Sequence, residues 1–334
     1  MKKVTIIILI FVVGLLTLQK AYNYYFSNPF TIEKAHRSIS ITTGDSFKKI
    51  SRNLSEQGII PSRFIFTFLA KIERVEGRIK AGEYEIPSPT SYQEIFTILM
   101  SGKSITYKIT IPEGYNIYEI AGLLVQNKII ESKDAFIEKA FDPEIIAHYK
   151  INNISCEGYL YPETYFLTKK MSVTEIIDIF VTEFQKHMTP LFMKRATEIG
   201  FTVNEVITLA SIIEKETSLP SERPLISSVF HNRLQKKMRL QTDPTVIYGI
   251  PGFDGNIRKE DLFRKTPYNT YVNSGLPLGP IANPSVASIE AALYPRDTAY
   301  LYFVSKGDGS HHFSATLADH NKAVKRYQLR QINN

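Results

Sequence analysis

An uncharged, apolar run from Val4 to Leu18, directly behind Met1-Lys2-Lys3, restricts this chain more than any other feature. Its 15 residues make a helix of only about 22 Å, short of a hydrocarbon core of roughly 30 Å. Extension to Tyr24 brings the length to about 31 Å and takes in Gln19 and Lys20. Lys20 can reach the headgroups with its ammonium, and Tyr22, Tyr24, Tyr25 and Phe26 resemble an interfacial aromatic belt. The rival reading is a cleaved leader. Against it, Gln19-Lys20-Ala21-Tyr22-Asn23-Tyr24 lacks a small-x-small cleavage site. The expectation is a retained single-pass anchor over residues 1–28. It leaves Lys2 and Lys3 in the cytoplasm and everything after about Pro29 outside, since no second span of similar apolarity follows.

Beyond the anchor, the chain must fold as an ordinary globular protein. With 334 residues, two domains or one elaborated domain are expected. Apolar residues at 43% and charged residues at 22% argue against general disorder. A single cysteine, Cys156, excludes an internal disulfide framework and a Cys-rich metal site. Net charge is +7, or +5 without Lys2 and Lys3. That excess suits an acidic polymer or a lipid surface but is too weak to argue for nucleic acid. Trp is absent, so a sugar-stacking surface here must use Tyr or Phe.

A pattern recurs 70 residues on. Ser38–Thr43 alternates as a strand, Gly44-Asp45-Ser46 opens a helix with Ser46 as cap, Gly58 ends it, and Pro61-Ser62 opens a second helix. The second copy has a strand bearing Ile105, Tyr107, Ile109 and Ile111, then Pro112-Glu113-Gly114 and a helix with Ile120 and Leu124. Ile59-Ile60 correspond to Ile129-Ile130, and Phe66 to Phe136. An extended Ala81–Ile86 segment and a helix from Ser91 to Ser101 lie between the copies. Two packed βαα units account for this as scaffold. The first copy also resembles a LysM module through its strand, Gly-Asp-Ser turn and helix over Ile39–Ile50. That resemblance implies a cell-wall glycan, and a purely structural role stands beside it.

The chemistry concentrates between Asn204 and Asn321. Asn204–Thr217 reads as a helix apolar nearly all round, hence buried, with Glu214, Lys215 and Glu216 in its last turn. Glu214 shares a face with Ile207, Ala210 and Ser211, whereas Glu216 points elsewhere, so the two cannot face one another as a dyad. Desolvation and the negative helix end would both favour a protonated Glu214, suited to protonate a glycosidic oxygen. The competing reading is an exposed helix-end carboxylate paired with Lys215 or Arg223. A further helix is expected from Ser221, as cap, through Leu234. Loops rich in Gly, Pro, Asn, Thr and Tyr come next: Leu240–Gly249, Tyr268-Asn269-Thr270-Tyr271 and Gly275–Pro284. Such loops supply the fixed hydrogen-bonding groups and flat faces of a sugar cleft. Arg223 and Arg239 could meet peptide carboxylates, with a solvated helix face as the alternative. His311, His312 and His320 lack metal-ligand spacing, so no metal is expected and the histidines brace the fold or line the cleft edge.

Several segments together resemble the MltG (YceG-like) family of membrane-anchored endolytic murein transglycosylases. They are Glu157–Tyr165, Ala210–Thr217, Leu240–Gly249, Tyr-Asn-Thr-Tyr at 268–271, Gly-Leu-Pro-Leu-Gly-Pro-Ile-Ala-Asn-Pro at 275–284, and His-Phe-Ser at 312–314. The match spans about Ile39 to Tyr327, and Leu278 stands where the family has a second proline. The resemblance implies cleavage of the β-1,4 bond between N-acetylmuramic acid and N-acetylglucosamine within a strand, with a 1,6-anhydro end. It places the catalytic glutamate on Glu214, requires no cofactor, and implies peptidoglycan synthases as partners. Gln241, Thr242 and Asp243 are candidates to bond sugar hydroxyls or orient Glu214, with a turn and helix start at Asp243-Pro244-Thr245 as the alternative. Tyr268 and Asn269 are candidates to hold the N-acetyl group, by analogy with other lytic transglycosylases. The expected architecture is α+β: a transmembrane helix, a LysM-like βαα module over 36–104, and a larger α+β catalytic domain over 105–330. In the last, 105–150 is the second repeat and 155–325 the core. Two rivals remain: a non-catalytic wall-binding scaffold, and a lysozyme-like hydrolase with Asp243 or Glu157 as its second carboxylate.

Overall fold

The structure is a computed structural model that describes residues 2–32, 36–169 and 171–329. Met1 and Arg330, where the expected anchor and catalytic regions begin and end, lie outside the described residues. The chain divides into two compact units, 1–108 with 166–172, and 109–165 with 173–334.

The first unit opens with α1 (Lys2–Ser27), the one helix among the described residues that by itself is long and apolar enough to cross a membrane. Its stretch from Val4 to Leu18 is almost wholly exposed, while Tyr22 and Phe26 turn onto the unit's core. There follow β1 (His36–Ile41), α2 (Phe47–Glu56), α3 (Arg63–Ile72), β2 (Gly82–Pro87) and α4 (Tyr92–Ser101). Strands β1 and β2 pair antiparallel, with Ile39 opposite Tyr84 and Ile41 opposite Gly82. Ile39, Ile41, Tyr84 and Ile86 share the inward face and meet Leu54, Phe66 and Phe96 in one core. Alternation along both strands produces that face.

A short sheet of β3 (Tyr107–Thr110) and β4 (Thr164–Leu167) lies where the chain passes between the units. The second unit holds α5 (Ile117–Gln126), α6 (Lys133–Ala140), α7 (Pro143–His148), α8 (Val173–His187), α9 (Pro190–Glu198), α10 (Val203–Glu216), α11 (Arg223–Gln235), α12 (Asp243–Tyr248) and α13 (Val286–Leu293). The antiparallel pair β5 (Tyr302–Ser305) and β6 (His311–Ser314), then α14 (Leu317–Val324), complete it.

The repeat is visible in backbone detail. Ser46 and Asn116 cap α2 and α5, and Ser62 and Ser132 cap α3 and α6, each pair 70 residues apart. Gly58 and Lys128 take left-handed φ of 66° and 57° at the equivalent helix ends. Ile59, Ile60, Phe66, Ile129, Ile130 and Phe136 are all buried.

Helix α10 is the spine of the second unit. Thr202 and Glu205 form a capping box at its start, satisfying two otherwise orphaned N–H groups. Every residue from Val206 to Ile213 is buried, and α13 is its most extensive helical neighbour. Each of its five buried large aliphatic side chains contributes roughly 1.5–3 kcal/mol. That burial fixes where its last turn points. One sequence expectation is corrected here: α11 starts at Arg223 with Glu222, not Ser221, at the cap, and no side-chain capping bond forms. Glu222 is engaged elsewhere, by the His311 N–H at 2.8 Å and with Nδ1 of the same residue at 2.7 Å.

Candidate active site

Glu214 leaves the last turn of α10 with its side chain only 6% exposed. Its Oε2 accepts from the Ser285 N–H at 2.9 Å and the Ser285 hydroxyl at 2.5 Å. Its Oε1 accepts from Arg223 Nη2 at 3.2 Å. Ser285 is the N-cap of α13, so the carboxyl sits at the positive end of that helix. This corrects the expected seat. Burial and the α10 C-terminus are both present, but three donors, one of them a guanidinium, are aimed at the group and suit a carboxylate. Arg223 is likewise corrected from a solvated helix face to a buried partner, 11% exposed at its side chain. Its Nε is buried with no hydrogen-bond partner.

Two loops hold this arrangement. Gly114, at φ 74°, lies so close that a Cβ there would stand 3.4 Å from Glu214 Cγ. Its N–H donates to the Asn283 carbonyl at 2.9 Å, and its own carbonyl accepts from Lys215 Nζ at 3.2 Å. Ser211, one turn before Glu214, receives the Ile281 N–H at 3.0 Å and so fastens the Gly- and Pro-rich loop to α10. Asn283 is buried, donating to the Tyr115 carbonyl at 2.9 Å and to Glu157 Oε1 at 3.0 Å, and accepting from the Leu160 N–H at 2.8 Å. Glu157 also accepts from the Ile117 N–H at 3.1 Å and the Tyr248 hydroxyl at 2.9 Å. Burial pushes its carboxyl up to about 8, against the pull of those donors. It is a fully enclosed tie between loops, so its expected alternative role as the second carboxylate of a hydrolase has no access to substrate.

Two clefts have Glu216 in their walls. One, of 420 Å³, is lined by Glu113, Gly114, Glu214, Glu216, Thr217 and Arg223, among others. The other, of 530 Å³, runs past Gln241, Thr242, Asp243, Tyr302, His311 and His320. Glu216 accepts from the Thr242 hydroxyl, and desolvation pushes it up to about 7. Thr242 therefore orients Glu216, not Glu214. Gln241 holds a left-handed φ of 49° at the cleft wall, a conformation that costs a non-glycine residue roughly 1 kcal/mol or more. Asp243 accepts from the Tyr271 hydroxyl at 2.6 Å. His320 stacks on Tyr302 with centroids 5.2 Å apart, and its Nδ1 is buried without a partner.

Tyr268 and Asn269 are brought to neither cleft. The Asn269 amide donates to the carbonyls of Asp261, Leu262 and Arg264, and its oxygen accepts from the Tyr271 N–H at 2.8 Å. With nothing left to offer an N-acetyl group, it is corrected to a loop brace. Tyr268 packs edge-on against Tyr248, centroids 4.7 Å apart. Arg239 donates to the Tyr271 carbonyl at 3.1 Å. Sequence reasoning missed Glu113 and Ser285. Glu113 Oε2 lies 3.8 Å from the same Arg223 Nη2, and desolvation, then the charge of Glu214, raises its carboxyl above the usual range. The Pro-Glu-Gly turn of the repeat was the available signal for Glu113; Ser285 had only its place as a helix cap.

Fold and site together define an α+β protein with an N-terminal apolar helix and an open cleft around one enclosed glutamate. The chain belongs to the YceG-like family, whose pattern matches residues 39–326. It is 34% identical over 306 residues to the endolytic murein transglycosylase of Bacillus subtilis (strain 168), covering 87% of this chain and 84% of that protein. With the endolytic murein transglycosylase of Streptococcus pneumoniae serotype 2 it shares 28% identity over 346 residues. There 93% of this chain matches, and it spans 62% of the relative's length. A crystal structure of a yceG-like protein from Listeria monocytogenes superposes with a TM-score of 0.60 at 35% identity, covering 87% of this chain and 99% of that one.

Proposed function

We propose that this chain is a membrane-anchored endolytic lytic transglycosylase that cuts peptidoglycan strands between N-acetylmuramic acid and N-acetylglucosamine. The observation that carries this reading is Glu214, an enclosed carboxyl on a rigid helix end, lining a cleft whose wall at Glu216 is shared with a second cleft. Glu214 in its acid form gives its proton to the leaving O4. The resulting carboxylate then takes the proton of the muramic-acid C6 hydroxyl as that oxygen closes on C1. The C1–O4 bond breaks, the C1–O6 bond forms, and Glu214 ends protonated again with no water consumed. Because the attacking hydroxyl belongs to the substrate, no second carboxylate is required.

The resting hydrogen bonds favour the second half of this cycle: Arg223 and the Ser285 N–H stabilise the carboxylate as it accepts charge. For the first half, the Ser285 hydroxyl must turn from donor to acceptor, which its lone pairs allow. Gln241, Thr242 and Asp243 line the larger cleft, where they contact glycan away from the cut. The anchor is placed in the cytoplasmic membrane with the N-terminus inside, and peptidoglycan synthases are the partners, so that cutting ends strand growth. The β1–α2–α3–β2 order supports reading 36–104 as LysM-like.

A second reading has one observation behind it. Glu113 and Glu214 share Arg223 Nη2, so their nearest oxygens lie within about 7 Å, the sum of the two distances, a separation compatible with a water-activating pair. Digestion of isolated glycan strands followed by mass spectrometry decides. Anhydro ends are expected; products about 18 Da heavier would establish hydrolysis instead. Glu214→Gln should abolish cleavage while strand binding persists, and unchanged cleavage would remove Glu214 from the chemistry.

A further inference from the structure

Helix α3 carries an apolar stripe that the unit's core does not use. Phe66, Leu69 and Ala70 face inward, whereas Phe64, Phe68 and Ile72, four residues apart, are 80%, 57% and 48% exposed. Three large apolar side chains in one row on a surface mark a docking face. The way α3 sits beside α1 within the same unit indicates its occupant.

The C-terminal end of α3 lies at the level of Tyr22, whose hydroxyl is bonded to Glu73. The N-terminal end lies at a later point of the chain. The Tyr92 hydroxyl is bonded to the N–H and carbonyl of Ser62 at 3.1 and 3.2 Å, and Tyr92 packs on Phe30 with centroids 5.1 Å apart. Phe30 lies beyond the end of α1. Helix α3 therefore descends toward α1's apolar segment with its C-terminus leading. From Val4 to Tyr22, α1 rises about 27 Å, close to a hydrocarbon thickness of roughly 30 Å, which sets Tyr22 at the outer interface. Ile72 is nearest that level, and along the α3 axis Phe68 stands about 6 Å and Phe64 about 12 Å from it, upper bounds on how much further out each lies, against a headgroup layer of roughly 5–8 Å. Around the leading end Lys71, Arg74 and Arg78 are exposed beside the exposed Glu76 and the half-buried Glu73, a local excess of one positive charge. Apolar side chains at the interface flanked by a cationic excess match an anionic lipid surface.

We propose that the outer face of α3 docks on the membrane, with Ile72 and Phe68 entering the interface and Lys71, Arg74 and Arg78 meeting the phosphates of anionic lipids. The unit is thereby held against the bilayer at two points, not swung from one helix. The proposal rests on α1 being the anchor.

The chain contains no Trp, so single reporters are unambiguous. The full chain is reconstituted in vesicles of phosphatidylglycerol and phosphatidylcholine whose acyl chains carry bromine near the headgroup. Ile72→Trp and Phe68→Trp should emit at shorter wavelength and be quenched, in the order Ile72, Phe68, Phe64. Reversing Lys71, Arg74 and Arg78 to Glu together should reduce quenching in the anionic vesicles and leave it unchanged in phosphatidylcholine alone. Phe11→Trp, with bromine deep in the chains, reports the span itself. Quenching of Phe11→Trp without quenching at 68 and 72 overturns the docking face alone; no quenching at position 11 overturns the anchor. A blue shift at 68 and 72 that bromine does not quench means that protein, such as a second copy, covers the stripe, and rejects lipid.

Discussion

Three donors converge on one carboxyl group at Glu214, and they come from different parts of the chain: Arg223 is nine residues away and Ser285 is 71. The glutamate itself was legible. Its helix is apolar on nearly every side, and its face is shared with Ile207, Ala210 and Ser211, so burial followed from periodicity. Its partners were not, because the Gly- and Pro-rich loop that delivers Ser285 is positioned by Asn283 and Ser211, and no period encodes that. Asn269 failed for the same reason: three nearby carbonyls claim its amide. Replacing Ser285 by Ala keeps the N–H but removes the hydroxyl 2.5 Å from Glu214. Turnover should fall on the order of tenfold, equivalent to about 1.4 kcal/mol, and the lost cap should cost about 1 kcal/mol of stability. Initial rates of muropeptide release and a thermal melt measure the two separately. An unchanged rate with a lowered melting temperature would leave Ser285 only its capping role.

Among the elements, helices were the most legible because their caps are local. Ser46, Ser62, Ser91 and the Thr202–Glu205 box each stand at a start, and the 70-residue offset reappears as matching caps and left-handed ends. Helix α11 was placed one residue early since Ser221 looks like a cap, while the pull of His311 on Glu222 acts through tertiary structure. The approach of elements around α10 sets a strict demand at Gly158. At φ 86°, a Cβ there would stand 2.6 Å from Pro280 and 2.7 Å from Ile207. Those neighbours are a ring and a buried branched side chain, so neither can yield cheaply. Gly158→Ala should destabilise the protein by about 2–4 kcal/mol, through overpacking and the left-handed backbone together. Chemical denaturation of the full chain in detergent measures it, and a loss below about 0.5 kcal/mol would mean that the loop shifts freely.

On the scale of the whole chain, the N-terminal run gave a candidate span, and the repeat and the family resemblance implied the α+β class, while the division near residue 108 had only the repeat to mark it. Besides Glu113, two carboxyls in the second unit stand above the ordinary range, Glu157 at about 8 and Glu216 at about 7, each raised chiefly by desolvation. The folded unit thus keeps protons that the unfolded chain releases near pH 4.3. Stability from these groups is fully present below about pH 4 and is lost as pH rises, with a slope of up to about 1.4 kcal/mol per unit for each group within its window. Glu157, with the higher value of the two, carries the last part of the decline. Denaturation curves from roughly pH 5 to 9 should show that final part in the parent and not in Glu157→Gln; parallel curves would mean that Glu157 is ionised throughout.

Beside Glu157 lies the chain's sole sulfhydryl. Cys156 is buried, and burial first, then the neighbouring carboxylate, pushes its thiol up to about 12. Alkylating and disulfide reagents need the thiolate and a way in, so the native unit should stay silent to them in neutral buffer. Uptake of one label per molecule would then time the opening of the second unit in the unaltered protein, with no engineered probe.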